Sequence, residues 1–341
     1  MEAPILSLVL PIYNEEAIIP ELDRRLRPFL AGVGSEVGDS WEVIFVNDGS
    51  QDRSLALLKD LAAAEPRYKV LSLSRNFGHQ MAITAGLDRA NGDAVVVMDA
   101  DLQDPPEVVG QMIARWREGF DVVFGVRSRR HGETLFKKLT ASVYYRLLRA
   151  MLGGASIPAD AGDFRLMSRT VVLTLRALRE QHRFVRGLVS WVGFRQTAVP
   201  YERPARFAGE TKWPLRKMLR FAVDGITSFS TVPLRMATWL GLLAGLIAMG
   251  GVGWALYSKI FGGVVRGWTT LMILVGLGSS AQLLMTGILG EYVGRIYEEV
   301  KRRPLYVVES EINLAGIEPS RGRPAEPPGQ TALKNVSRPK T

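Results

Sequence analysis

Two long stretches without a formal charge constrain this chain more than any other feature. Between Arg235 and Lys259 lie 23 residues with no charged side chain, and between Arg266 and Glu291 lie 24 more. Each reaches the ~20 residues that a helix needs to cross ~30 Å of hydrocarbon. Trp239, Trp254 and Trp268 stand toward their ends, and glycines and other small residues run through them, as suits membrane helices and their interfaces. A buried helix pair in a soluble protein has a similar composition, but two such runs in tandem favour two spans, 236–258 and 267–290. Arg216, Lys217, Arg220 and Arg235 precede the first run, and Arg295, Lys301, Arg302 and Arg303 follow the second. The loop between them offers only Lys259 and Arg266. The bias toward positive charge on the cytoplasmic side then predicts a multi-pass protein of the inner, cytoplasmic membrane with both termini in the cytoplasm. No signal peptide is expected before Ile5, since the first apolar run is only a strand's length.

The remainder divides into four further pieces. Residues 1–213 read as an α/β domain with a mostly parallel sheet. Short apolar runs at 5–12, 43–46, 70–73, 94–98 and 122–124 alternate there with helical stretches such as 15–30 and 54–64. In 214–232, Leu215, Met218, Leu219, Ala222, Ile226 and Phe229 share one helical face, with Arg216, Lys217, Arg220 and Asp224 opposite. That pattern fits an amphipathic helix lying in the headgroup region, or an ordinary core-facing helix. The spans fall within 233–293, a cytosolic segment follows at 294–318, and 319–341 is a disordered basic tail rich in proline.

The 341 residues contain no cysteine, which excludes disulfides, thiolate metal sites and cysteine nucleophiles. With three histidines, any metal must be held mainly by oxygen. A net charge of +9 calls for an acidic partner: nucleic acid, anionic lipid or a phosphorylated substrate.

The sharpest chemical signal runs from Val95 to Pro106, where an apolar strand ends in Asp99-Ala100-Asp101-Leu102-Gln103-Asp104. Side chains alternate along a strand, so Asp99 and Asp101 can point the same way and share one hard cation. Such a cation completes its shell with water and substrate oxygens, which suits a diphosphate. Earlier strand ends carry polar groups as well: Pro11-Ile12-Tyr13-Asn14-Glu15, Asn47-Asp48-Gly49-Ser50, and Ser74-Arg75-Asn76-Phe77-Gly78. Any one of these could simply cap a helix, but successive polar strand tips describe one rim, where open α/β sheets bind ligands.

Together with Ala161-Gly162-Asp163-Phe164-Arg165-Leu166, and Arg206 with Gly209-Glu210-Thr211-Lys212-Trp213, these motifs resemble the inverting GT-A glycosyltransferases of family 2. The nearest pattern is that of polyprenyl-phosphate glycosyltransferases, such as bactoprenol glucosyltransferases and dolichol-phosphate mannose synthases. The resemblance spans roughly residues 4 to 306. It implies that Pro11, Tyr13, Glu15 and Asp48 form the nucleotide pocket, with Gln103 beside the diphosphate. It implies Asp99 and Asp101 as metal ligands, with Mg²⁺ or Mn²⁺ as cofactor, and Asp163 as a later catalytic acid, metal-linked or a base. Arg127, Arg206 and Lys212 match phosphate-handling positions. The implied reaction is inverting transfer of one sugar from a nucleotide sugar, UDP-glucose first, to undecaprenyl phosphate at the cytoplasmic membrane face by a homo-oligomer. GDP-mannose, UDP-GlcNAc and a UDP-modified arabinose are alternative donors, and a non-catalytic membrane scaffold is the alternative role. Gln181-His182-Arg183-Phe184 does not fit the Gln-x-x-Arg-Trp of processive relatives, although Arg186-Gly187-Leu188 resembles the non-processive pattern. A nucleotidyltransferase would need a glycine- and lysine-rich triphosphate loop that 5–16 lacks, and no nucleic-acid-binding motif accompanies the positive charge.

Overall fold

The structure, a computed structural model, describes residues 5–37, 40–127, 161–202, 232–261 and 267–314. Arg206, Lys212, nearly all of 214–232, and the tail 319–341 lie outside the described residues, and so do the expectations attached to them.

The first strand, β1 (Leu6–Ile12), is buried along its whole length, as befits the centre of a sheet covered on both faces. Its side chains alternate between two apolar layers. Leu6, Leu8, Leu10 and Ile12 meet Leu22, Leu26 and Leu30 of α1 (Ile19–Val37), while Val9 faces Ala82, Ile83 and Ala85 of α3 (His79–Arg89). β2 (Trp41–Asn47), β3 (Tyr68–Leu73) and β4 (Ala94–Val97) join β1 in parallel, with α2 (Ser54–Ala64) packed beside them. After α4 (Glu107–Arg117), β5 (Val122–Arg127) and β6 (Ala161–Ser168) extend the sheet. Helices α5 (Arg169–Ala177) and α6 (Val185–Trp191) precede β7 (Gln196–Tyr201). The sheet order is β7-β5-β6-β4-β1-β2-β3-β8, where β8 is Val308–Ile312. β6 runs antiparallel to β4 and β5, β8 antiparallel to β3, and the other strands run one way. The expected α/β, mostly parallel sheet is therefore present.

Two long helices stand between β7 and β8. α7 (Val232–Ile260) and α8 (Trp268–Lys301) pack together, Gly241 lying against Met285 and Gly251 against Leu274, so they form an antiparallel hairpin. A Cβ on Gly241 would stand 3.1 Å from Met285 Sδ, which shows how closely that helix approaches. Met236–Trp254, 19 residues with mean hydropathy 1.6, is long and apolar enough to cross a membrane by length and composition. Among the described residues it is the one such stretch, so the second expected span is not shown.

The chain after the hairpin also departs from expectation. Residues 294–318 were expected to form a separate cytosolic segment, and the α/β domain to close at 213. Instead β8 is the sheet's edge strand, held by Ser74 N–H to Val307 O (2.9 Å) and by the Arg89–Glu311 ion pair (2.5 Å). Just beyond it, Asn313 donates from Nδ2 to Ala62 O (2.7 Å) and Tyr68 O (2.9 Å).

Candidate functional site

The strand tips meet where the parallel strands end at their carboxyl side. The loop after β1 and the loop after β2 are laced together. Ser50 Oγ accepts from Asn14 N (3.0 Å), Asn14 Oδ1 from Gln51 N (2.8 Å), and Ser54 Oγ from Glu15 N (2.9 Å). Asn14 adopts φ 54°, a region asparagine tolerates better than most residues. The lacing leaves Tyr13 44% exposed at the rim, while Pro11 is buried within β1.

Asp48 builds the neighbouring wall. Its Oδ1 accepts from Phe77 N (2.7 Å) and its Oδ2 from Gly78 N (3.0 Å), which fixes the turn leading into α3. Burial pushes the Asp48 carboxyl up, against the pull of those two N–H groups. Gly49 makes the close approach possible: at φ 65°, a Cβ there would fall 2.3 Å from the Arg75 carbonyl carbon. Asn47 supports the rim from below: its Nδ2 donates to Ser72 Oγ within the sheet, and its Oδ1 accepts from Ser50 N in the rim loop.

Beyond β4 the chain turns through Asp99, Ala100 and Asp101. The register that pairs Val97 with Arg165, carried two residues further, sets Asp99 opposite Asp163. Asp99 N donates to Asp104 Oδ2 (3.2 Å), and Tyr201 OH donates to Asp104 Oδ1 (2.8 Å), so Asp104 secures the turn. Gln103 N donates to Asp101 Oδ1 (3.1 Å). Leu102 between them is buried at φ 60°, a left-handed conformation that costs a side-chain-bearing residue about 1–2 kcal/mol. Strain of this kind is kept where the surrounding structure needs the turn.

Asp163 is the best-held carboxylate. Arg186 of α6 donates from Nε to Oδ1 and from Nη2 to Oδ2, both at 2.9 Å. His79 Nε2 stands 3.4 Å from Asp163 Oδ2 and 3.4 Å from Asp99 Oδ1, and Gln80 Nε2 reaches Asp163 Oδ2 at 3.4 Å. Burial would raise the Asp163 carboxyl, but Arg186, His79 and Arg165 hold it well below the usual carboxylate range. His79 is pulled down by burial, yet its bond to Asp163 and the charge of Asp99 carry it above its ordinary value. Arg165, fully enclosed, is lowered by burial to about 10. Burial raises Asp99; His79 opposes this, and the nearby charges of Asp163 and Asp101 add to it.

Asp99 Oδ1 is buried and accepts no hydrogen bond among the described residues. An acidic oxygen left in that state, with a second carboxylate two residues on, fits a hard divalent cation. No group of three or more His, Asp or Glu that could hold a metal occurs among the described residues. The remaining oxygens would thus come from substrate and water, as is usual for Mg²⁺ at phosphate sites.

The structure brings Asp99, Asp101 and Asp163 into one cluster, with Asp48, Glu15, Tyr13 and Gln103 on adjoining tips. Arg127 ends β5 opposite Tyr201 of β7. His79 and Gln80 were not expected as site residues, although they directly follow the quoted Asn76-Phe77-Gly78 motif. Arg186 was quoted only for its pattern, and its grip on Asp163 crosses from α6 to β6. A cavity of about 810 Å³ lies elsewhere, between Asp88, Arg179 and the end of α8.

An acidic cluster at the carboxyl ends of a Rossmann-like, mostly parallel sheet, beside a rim of polar strand tips, is the arrangement of a GT-A type of glycosyl-transferring domain. The match to the family model for glycosyl transferase family 2 covers residues 7–176. A glycosyltransferase of Bacillus subtilis (strain 168), described as uncharacterised, is 50% identical over 314 residues, covering 90% of this chain and 94% of its own. The prophage bactoprenol glucosyl transferase homolog of Escherichia coli (strain K12) is 40% identical over 305 residues, 89% of this chain and 98% of its own. The bactoprenol glucosyl transferase of Shigella phage SfV is 41% identical over 307 residues, with 90% and 98% covered. The chain belongs to glycosyl transferase family 2, and it is a glycosyltransferase.

Proposed function

We propose that the enzyme transfers one sugar from a nucleotide diphosphate sugar, UDP-glucose foremost, to a polyprenyl phosphate of the undecaprenyl type. The observation that carries this reading is the extent of the similarity. Relatives named bactoprenol glucosyl transferase match about nine-tenths of the chain, apolar hairpin included. The hairpin supports a lipid acceptor independently. Trp239, Leu243, Met249 and Trp254 of α7, and Leu277, Leu283 and Leu284 of α8, are all more than half exposed, a surface suited to hydrocarbon rather than water. We therefore read both helices as membrane spans. The catalytic sheet continues on both sides of the hairpin in sequence, so it lies on one membrane face, the cytoplasmic one by the basic residues Arg295, Lys301, Arg302 and Arg303.

Tyr13 offers its ring to the base, Pro11 and Glu15 line the same pocket, and Gln103 faces the diphosphate. Each Asp48 oxygen accepts one backbone N–H, which leaves lone pairs for the ribose hydroxyls. Asp99 and Asp101 would hold Mg²⁺ or Mn²⁺, which when bound neutralises charge on the departing diphosphate. Arg127, Arg206 and Lys212 serve the phosphates of donor and acceptor. The acceptor is a phosphate monoester whose second pKa lies near ~6, so it is already an anionic nucleophile at neutral pH. Asp163, held far below the ordinary carboxylate range, would be a weak base. Its task is to orient the site around the attacking phosphate. Direct attack inverts the anomeric centre, so an α-linked donor gives a β-linked lipid.

The test uses purified full-length enzyme with labelled nucleotide sugars and undecaprenyl phosphate in lipid nanodiscs. UDP-glucose is expected to give a β-linked lipid product that EDTA suppresses. Transfer from GDP-mannose, UDP-GlcNAc or a UDP-arabinose derivative instead would replace the donor, and the absence of any lipid-linked product would overturn the acceptor.

A further inference from the structure

The strongest unexplained feature is how the end of α8 meets the catalytic cluster. The segment that joins α5 to α6 touches both. Gln181 N donates to Glu299 Oε2 (2.9 Å), and Gln181 Nε2 donates to Arg303 O (2.7 Å). His182 Nε2 stands 2.7 Å from Glu298 Oε2. A few residues on, Val185 N donates to Gln80 Oε1 (3.0 Å), and the next residue is Arg186, whose guanidinium grips Asp163. The same Gln80 reaches Asp163 through its amide nitrogen. One short stretch of chain thus links a helix leaving the apolar hairpin to the carboxylate at the reacting centre.

We propose that Gln181 and Glu299 are positioning residues through which the end of α8 sets Arg186, and hence Asp163, for transfer. The inference rests on the proposed role of Asp163 in orienting the site and on the proposed lipid acceptor. The helix is suited to such a task. α8 is unbroken over 34 residues, so a tilt or shift of the hairpin moves Glu298 and Glu299 as part of one rod. The joining segment is otherwise anchored toward its two ends, with Arg183 and Phe184 buried at the second. Arg179 pairs with Asp88 at one end (2.7 Å), and Arg183 turns back onto Leu175 O (3.1 Å). The α6 helix itself is held by Val185, Leu188 and Val189 in the apolar core, which keeps the fold intact without the α8 contacts. Both Gln181 bonds are exposed, and exposed polar contacts add little to folding stability. Their effect should appear instead in geometry, where a displacement of about 1 Å can cost up to about a hundredfold in rate.

The experiment compares full-length wild type, Gln181→Ala, Glu299→Ala and Glu299→Gln in nanodiscs. Transfer kcat, donor KM and thermal midpoint are measured for each. Glu299→Ala, which removes the acceptor of the Gln181 backbone N–H, is expected to lose about ten- to a hundredfold in kcat. Gln181→Ala keeps that bond and loses only the one to Arg303 O, so it should lose a smaller part of the rate, with donor KM and midpoint nearly unchanged in both. Glu299→Gln should recover most of the rate, because its amide oxygen still accepts the Gln181 N–H. Full kcat in Glu299→Ala, or an equal loss in Glu299→Gln, overturns the proposal. If wild type hydrolyses the sugar nucleotide but loads no polyprenyl phosphate, the acceptor reading fails. The same comparison is then made on hydrolysis, where loss with rescue supports the positioning role and unchanged rates refute it.

Discussion

At the scale of residues, the cluster separates two kinds of carboxylate. Asp99 keeps an oxygen without a hydrogen bond among the described residues, whereas both Asp163 oxygens are taken by Arg186. Asp99→Asn should therefore lower transfer by about two to three orders of magnitude, the scale of losing one preorganised charge-stabilising group. Metal-dependent donor binding, followed by calorimetry, should disappear with it, and retained activity in EDTA would refute the assignment. Asp163 calls for a different test. Arg186→Met leaves a carboxylate that is 5% exposed without its bidentate partner, which should cost about 3 kcal/mol in stability. Adding Asp163→Asn to that variant should restore much of the lost thermal midpoint, and a simple sum of two losses would show that the pair is not coupled.

At the scale of elements, legibility followed the way each strand is buried. β1 to β5 read directly, because each sits in the sheet as a nearly unbroken apolar run. β6 did not, since the charged Asp163 and Arg165 stand buried inside it, and the bidentate partner of Asp163, Arg186, is distant in sequence. β8, Val-Glu-Ser-Glu-Ile, has too little apolar character to be read without β3 beside it. α1 begins at Ile19 rather than at 15, because Glu15 and Glu16 are used in binding the neighbouring loop. The acidic part of the site was visible in the sequence, for Asp99, Asp101 and Asp163 lie in recognisable motifs. His79 and Gln80 were not, because a polar residue opening a helix carries no local sign of what its far end meets. Asn313 now gives β8 a prediction of its own. It holds φ 57° and two bonds, to Ala62 O of α2 and Tyr68 O of β3, so Asn313→Ala should cost about 1–3 kcal/mol. A lowered thermal midpoint with unchanged donor KM is the expected result, and an unchanged midpoint would show that the edge strand needs no such anchor.

For the whole molecule, the lack of cysteine makes the proposed membrane topology of hairpin and sheet directly measurable. Val264→Cys, between α7 and α8, should react with an impermeant maleimide applied from outside intact cells. Glu309→Cys, in β8, should react only after the membrane is opened. Labelling of both from the same side would refute the two-span reading.

The position of β8 also sets the order in which the protein can be made. Ser72 of β3 meets Glu309 at the sheet's edge across 237 residues of chain. At ribosomal speeds of roughly 5–20 residues per second, β3 waits on the order of ten to fifty seconds for that neighbour. Through that interval its outer edge presents unpaired N–H and C=O groups, the kind of surface that recruits stray strands. The apolar hairpin is synthesised within the same interval. On the two-span reading proposed above, completion of the catalytic sheet is timed after the helices that would enter the bilayer, and a nascent chain stalled in insertion would be left with an open edge for chaperones and proteases to find.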